Sequence, residues 1–458
     1  MRRENSESHD LRLKNLRSAV ISLLTPHSSL HIKTLHTPLS SFITMRISII
    51  GAGAAGCFAA IEIKRRLPKA EVVVFESGRK ALAKVAITGG GRCNLTNSFE
   101  GVVGVETVYP RGARLMKRLL KEFSHTDAYR WFEDAGVRLL TQEDHCVFPV
   151  SQDAMEIVNT LLGLMKRYGV VLKTQHRITT IEPLEKDDGL EYALYVSTPS
   201  NLQSKVYESD VVVVTTGGSP RLSGLSMLAP LELEMVSPVP SLFSFCLEKG
   251  PITDLMGTVV EDTAVSVVGT KMKAEGPLLI THWGLSGPAI LKLSSYAARY
   301  LNEHDYRTTI SVNWFGKAHE EEVVEELGEL AARHAQKQLQ SVYPTRFNSR
   351  LWTFLLQSCG LRPEQRWAEL GRKSFNRLAS RLTSFTFEVV GKNRFKDEFV
   401  TCGGVALGNV NPSTLECRRH PNFYFAGEVL DIDAITGGFN LQAAWTTAYV
   451  VAKSISAS

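Results

Sequence analysis

The chain has 458 residues, 44% of them hydrophobic and 22% charged, proportions that exclude a wholly disordered, collagenous or coiled-coil molecule. Its length is about three times a typical domain of ~150 residues, enough for two or three domains with cores that need neither disulfides nor a metal. The formal net charge is +5, but residues 1–44 hold +3 of it through six Lys/Arg against Glu4, Glu7 and Asp10, so the rest carries only +2 and shows no concentrated basic face in the linear sequence.

Residues 1–44 contain twelve Ser/Thr, four His and a short apolar run from Ala19 to Leu24, too brief for a secretory signal. They read as a disordered extension, with translation starting at Met45, or as an organellar transit peptide. The seven cysteines are odd in number, with no C-x-x-C pair and no Cys/His ligand cluster, which points to a reducing compartment and no structural metal. A cytoplasmic location is expected unless the tail directs the chain to an organelle. The longest apolar stretch, Ile47 to Ile61, holds three glycines and is too short to span a bilayer.

Arg46 to Ile50 is a β-branched run followed directly by Gly51-Ala-Gly-Ala-Ala-Gly56, and Cys57 to Leu67 then reads as a helix that Pro68 stops. Val72 to Phe75 is a second strand, closed by Glu76. Strand, glycine turn, helix, strand and acid appear in the order of the βαβ dinucleotide fingerprint. In that pattern Gly51 makes the tight turn, Gly53 lets backbone amides approach a diphosphate, and Gly56 lets helix and strand pack closely. The helix N-terminus offers partial positive charge to the diphosphate, and Glu76 is placed for ribose hydroxyls.

Farther on, Ala86 to Asn97 reads AITGGGRCNLTN. Its glycine triplet leaves backbone N–H groups free to line a ligand as a nest, with Arg92, Asn94 and Asn97 adding polar groups. Cys93 has no redox partner at C-x-x-C spacing, and a lone cysteine is more often buried than reactive. Asp153 to Tyr168 is an amphipathic helix, while Val170 to Lys173 and Arg177 to Ile181 are strands. Asp210 to Gly218 is a buried strand ending in glycines, typical of the carboxyl edge of a parallel sheet, where ligands bind.

After residue 225 the texture changes. Pro238 to Cys246, Thr258 to Val268 and Thr308 to Trp314 are short β-rich runs that suggest a small antiparallel sheet or barrel. Lys317 to Leu382 is helical, with Val323, Val324, Leu327, Leu330 and Ala331 at helical spacing, a packing stripe rather than a cofactor box. Glycine-rich chemistry returns at Cys402 to Val405, at Ala426-Gly-Glu428 and at Gly437-Gly438, which opens a final helix. The expected fold is α/β, a Rossmann-like nucleotide domain (45–225 and 401–458) into which a β-rich substrate domain (226–316 and 384–400), a small sheet or barrel, is inserted, itself carrying a helical insert (317–383). No second GxGxxG appears, so a dedicated NAD(P)H domain is not expected.

The segments IIGAGAAG (49–56), KVAITGGGRCNLTN (84–97), TTGGSP (215–220), THWGLSGPAILKLSS (281–295), CGGV (402–405) and YFAGEVLDIDAITGGFNLQAAW (424–445) resemble the BaiN/YhiN-like family of FAD-dependent oxidoreductases over nearly everything after residue 44. The resemblance implies an FAD domain of the two-dinucleotide-binding type, with a β-barrel substrate domain and a helical insert within the barrel. It also implies cofactor contacts at Gly51, Gly53, Ala54, Ala55, Gly56, Glu76, Lys84, Thr88, Gly89, Gly90, Gly91, Arg92, Cys93, Asn94, Ile178, Thr216, Gly217, Gly427, Glu428, Gly438, Phe439, Asn440 and Leu441. Two positions depart from the family pattern: Ala434 replaces a common glycine and Phe439 a common tyrosine.

The expected activity is hydride transfer between flavin and a small organic substrate, the reduction of a conjugated C=C or enone with NAD(P)H as transient donor. The alternatives are a flavin-dependent amine oxidase, an FAD-dependent RNA-modifying enzyme and a non-catalytic flavin-binding protein. A small-molecule partner is expected, with no nucleic acid and no membrane. His282 and Trp283 are candidates for the pocket border, but a histidine in a turn is more often structural, so no catalytic acid is assigned.

Overall fold

The computed structural model of the protein describes residues 44–186, 189–393 and 400–457. The alternatives raised for the N-terminal extension concern residues 1–43 and lie outside the described residues.

The strands β1 (Arg46–Ile50), β2 (Glu71–Phe75), β3 (Val171–Lys173), β4 (Val211–Val214) and β5 (Phe423–Phe425) form one sheet in the order β5-β4-β1-β2-β3, every neighbouring pair parallel. A parallel sheet is covered on both faces, so its strands must be apolar throughout. Ile47, Ile49, Val212, Val213, Val214, Phe423 and Phe425 are accordingly all buried. Helix α1 (Ala54–Arg66) follows β1 after three residues. Its small residues bring it close to the C-terminal helix (Phe439–Ala457), where Phe58 and Trp445 meet with ring centroids 5.5 Å apart. The order reverses between β1 and β4, the switch point at which open α/β sheets bind ligands.

Two further antiparallel sheets of three strands flank this layer, one of Thr96–Asn97, Leu139–Thr141 and Cys146–Pro149, the other of Arg177–Lys186, Gly189–Thr198 and Asn201–Ser209. The amphipathic segment at 153–168 forms the helix Ala154–Arg167, capped by Asp153, whose carboxylate accepts from Met155 N–H at 2.8 Å.

The β-rich middle closes into a barrel of six strands, Phe245–Leu247, Val259–Val267, Lys273–Thr281, Gly284–Ser286, Thr308–Asn313 and Phe385–Lys392, paired antiparallel. Closure removes the edge strands that a sheet this small would expose. Phe245, Leu278, Ile280, Leu285, Ile310 and Val312 fill its core. An antiparallel pair, Met235–Ser241 with Val400–Val405, leads into and out of the barrel. Between the fifth and sixth strands in sequence order lie α2 (Glu320–Arg333), α3 (Ser349–Ser358) and α4 (Arg372–Thr383). Their core is Trp352, stacked near Tyr343, Phe347 and Trp367, with its indole N–H donating to Leu339 O at 2.8 Å. Among the described residues no helix is long and apolar enough to cross a membrane.

Candidate functional site

The residues immediately after four strands of the parallel sheet, Gly51, Glu76, Thr215 and Ala426, meet in the wall of one cavity of about 420 Å³. A second cavity of about 490 Å³ shares Gly51, Glu76, Thr216 and Gly217 with it, so the two form one continuous cleft along the carboxyl edge. This is where the topology directs a ligand.

The glycine turn is built around close backbone approaches. Gly51 has φ +107°, and a Cβ there would stand 2.5 Å from Thr215 O. A Cβ on Gly56 would meet Gly51 O at 1.9 Å, so only glycine lets α1 sit this near the strand. Gly53 differs. A Cβ there meets nothing within 4 Å, and the residue forms the N-cap of α1 with no capping side chain. Cys57 N–H donates to Gly53 O at 3.0 Å, leaving the amides of Ala54, Ala55 and Gly56 as the orphan donors of the first turn. Glu76 is held from both sides, accepting from Ala52 N–H at 3.0 Å and from Gly78 N–H at 2.6 Å. Its carboxylate is thereby fixed in the wall with lone pairs still available.

A second helix start faces the same space. Gly437, Gly438, Asn440 and Leu441 line the cavity where the C-terminal helix begins. The AITGGGRCNLTN segment is sewn to this turn. Asn97 Nδ2 donates to Gly437 O at 3.0 Å, Thr96 Oγ1 donates to Gln442 Oε1 at 2.6 Å, and the Asn94 amide, oriented to suit its neighbours, accepts from Gly438 N–H at 3.3 Å. Asn440 clamps its own loop, accepting from Ala434 N–H and donating to Ala434 O, both at 2.9 Å.

Of the residues singled out in the sequence, the first cavity gathers Gly51, Gly53, Ala54, Ala55, Glu76, Lys84, Thr88, Gly89, Asn94, Thr216, Gly217, Gly427, Glu428, Gly438, Asn440 and Leu441, and the second gathers Ile178. Gly56, Gly90, Gly91, Arg92, Cys93 and Phe439 line neither. Arg92 lies over the Phe148 ring at 4.3 Å and donates to Gly89 O and Gln152. Phe439 is buried edge-on to Phe99, at 5.1 Å. His282 and Trp283 form the turn between two barrel strands and line neither cavity.

Sequence reasoning missed other wall residues. Thr215, one residue before the chosen pair, donates its hydroxyl to Ile50 O at 3.0 Å and Gly51 O at 2.8 Å. Ile435 and Thr436 adjoin the Gly437-Gly438 turn, and that adjacency was the available signal. Leu242 and Val400 arrive from the strand pair leading into and out of the barrel, for which no local pattern exists. Together with Ile435 they make this end of the wall apolar.

Cys93 is fully buried with φ +61°, and burial pushes its thiol up to about 12 against the pull of a Thr88 hydrogen bond. Almost none of it is thiolate near neutral pH, and the thiolate is the nucleophile. Cys93 in the folded protein is therefore expected to resist iodoacetamide and to be labelled only after unfolding. Mass-spectrometric mapping checks this, and labelling in the folded state would show a thiol that solvent reaches.

A family model described as the HI0933-like protein Rossmann domain matches residues 45–454. A 3-dehydro-bile acid delta(4,6)-reductase of Clostridium scindens is 26% identical over 426 residues, covering 89% of this chain and 98% of the relative. A ribosomal RNA dihydrouridine synthase of Haemophilus influenzae is also 26% identical, over 416 residues, covering 89% and 98%. Among solved structures, the E. coli quinol fumarate reductase FrdA aligns with a TM-score of 0.46 at 13% identity, over 90% of this chain and 70% of that one.

Proposed function

We propose that this chain, which belongs to the HI0933-like Rossmann-domain family, saturates a carbon–carbon double bond conjugated to a carbonyl, with NAD(P)H as the electron donor. It is an FAD-dependent oxidoreductase; the proposal concerns the bond reduced and the donor. The observation that carries the reading is that two relatives of equal identity bear names describing related chemistry on dissimilar molecules. A 3-dehydro-delta(4,6) steroid is a conjugated dienone, and dihydrouridine is uridine saturated at the bond conjugated with its C4 carbonyl.

The residues present fit FAD. The cradle at Gly53 is space that any side chain would fill, and the orphan amides of Ala54 to Gly56 suit a diphosphate. Glu76, already immobilised, would accept the ribose hydroxyls. Bound in this cleft, FAD would supply the hydride-transfer chemistry. The amides at the start of the C-terminal helix, with the positive end of its dipole, offer stabilisation to negative charge at the far end of the cleft. Leu242, Val400 and Ile435 exclude water there and present an apolar face to a flat conjugated substrate. With one dinucleotide fingerprint in the sequence, the donor is expected to bind at this same face and leave before the substrate enters, giving ping-pong kinetics.

The test is anaerobic incubation of the purified holoprotein with NADH or NADPH and an α,β-unsaturated ketone, with mass spectrometry of the products. Gain of two hydrogens by the ketone is the expected result. Oxidation of an amine under air, with no ketone saturation, would overturn the reading in favour of an oxidase.

A further inference from the structure

Lys292 is a half-buried cation on the helix Pro288–Tyr296 with no carboxylate in ion-pair reach among the described residues. Its Nζ donates to a backbone carbonyl, Glu275 O, at 3.3 Å. The Glu275 carboxylate itself is taken by Lys317 at 2.9 Å, and that of Asp144 accepts from Cys146 N–H at 3.1 Å. Arg111 and Arg299, along the same seam between nucleotide domain and barrel, are matched to Asp433 and Asp431. An ammonium drawn out of water without a counter-ion costs stability, and proteins keep such groups mainly where function needs them.

The helix turns this charge towards the cleft. Lys292, Ser295 and Tyr296 are spaced i, i+3 and i+4 and so share a face. Ser295 Oγ accepts from Arg111 Nη2 at 3.4 Å, and Tyr296 Oη donates to Thr107 O at 2.7 Å, which lays that face on the nucleotide domain. Lys292 meets the same domain at the Cys146 thiol: burial pulls its pKa down, and Cys146, Glu275 and Asp144 pull it back. Cys146 in turn hydrogen-bonds the side chain of Asn94, which lines the cavity and accepts from Gly438 N–H where the C-terminal helix begins. The ammonium therefore stands two side chains behind the cavity wall. Leu242, Val400 and Ile435 make this end of the wall apolar, so its field is weakly screened there.

With a diphosphate on the first-turn amides of α1 and a ribose on Glu76, this end of the cleft is left for the flavin ring. When NAD(P)H gives up a hydride and becomes NAD(P)+, the flavin gains two electrons and one proton, hence one unit of negative charge. A fixed cation nearby favours the reduced ring over the oxidised one. We infer that Lys292, standing behind Cys146 and Asn94, supplies the positive charge that draws hydride onto the flavin and sets its reduction potential. The inference rests on the reading above for the flavin in this cleft and not for the bond that the flavin reduces.

The wild type, Lys292→Met, Lys292→Gln and Lys292→Arg are compared with FAD in excess. One readout is the flavin midpoint potential, from anaerobic equilibration with a reference dye. The other is bleaching of oxidised flavin by sulfite, an anion whose addition brings negative charge to the ring. Loss of the charge in the Met and Gln variants should weaken sulfite about tenfold and lower the equilibrium constant for reduction about tenfold, ~30 mV for a two-electron couple. Lys292→Arg should keep both near the wild type. Because an unpaired buried charge is relieved, Lys292→Met apoprotein should melt no lower than wild-type apoprotein, which a purely structural lysine would not allow. Tyr296→Phe, which cuts the tie to Thr107 on the same face, controls for movement of the helix: it should lower the melting temperature and leave the potential unchanged. An unchanged potential and sulfite affinity in flavin-loaded Lys292→Met and Lys292→Gln, or an equal shift in Tyr296→Phe, would overturn the assignment. Neither readout needs a ketone, so failure of the double-bond reading would leave these results standing, and the two failures are distinguishable.

Discussion

Replacing Gly53 with Val is expected to give folded, colourless protein. The backbone at this N-cap, φ −86° and ψ −165°, is extended and open to any residue, and an added Cβ meets no protein atom within 4 Å. The fold therefore has no reason to reject the substitution. A branched side chain would instead stand in the cleft where the first-turn amides of α1 offer themselves to a diphosphate. Flavin should fall from about one per chain, the one-site expectation, by a loss of affinity of at least a hundredfold, about 2.7 kcal/mol. The melting temperature of Gly53→Val should match that of deflavinated wild type rather than holoprotein, because a tightly bound ligand stabilises only the state that binds it. A folded Gly53→Val protein with full flavin content would show that the diphosphate lies elsewhere.

The second large effect concerns Asp433, fully buried two residues before the cavity residue Ile435. Its carboxylate accepts from Arg111 Nε and Nη2 and from the hydroxyl of Ser241, the latter at 2.9 Å, while Arg111 Nη1 donates to Ser295 O at 2.8 Å. One ion pair thus joins the loop that shapes the cavity to the strand leading into the barrel and to the helix Pro288–Tyr296 that holds Ser295. Burial opposes the charge on Arg111, and its neighbours, Asp433 first and Asp431 among the rest, more than restore it. Asp433→Ala leaves a guanidinium buried without its partner, a change that costs about 3–5 kcal/mol. The double replacement Arg111→Met with Asp433→Leu leaves no charge behind and should recover much of the loss. Denaturant unfolding of the single and double variants checks this. A double variant as destabilised as the sum of its singles would mean that the pair acts independently of its charge.

The parts of the fold most legible in the sequence are those whose causes are local. The strand, glycine turn and helix of 46–66 follow from a β-branched run, three spaced glycines and a proline stop, and the buried run at 211–214 from its unbroken valines. The barrel was foreseeable as a class from short β-rich segments, and Phe385–Lys392 alternates clearly, but the strand Lys273–Thr281 alternates too weakly to stand out. Within the cleft, residues beside a glycine signal were within reach. Leu242 and Val400 were not, because they acquire a role only when the two ends of the barrel excursion pair. Asn94, Asn97 and Asn440 read as ligand amides, yet much of their hydrogen bonding goes to holding the Gly437-Gly438 turn.

The most direct measurement is the single-turnover reoxidation of the protein's flavin. The holoprotein is reduced anaerobically with NADPH or NADH, freed of excess donor, and mixed with an α,β-unsaturated ketone or with oxygen while flavin absorbance is followed. Reoxidation faster with the ketone than with oxygen, with the ketone recovered saturated, is the predicted result. Rapid reoxidation by oxygen with no response to any conjugated double bond would contradict it.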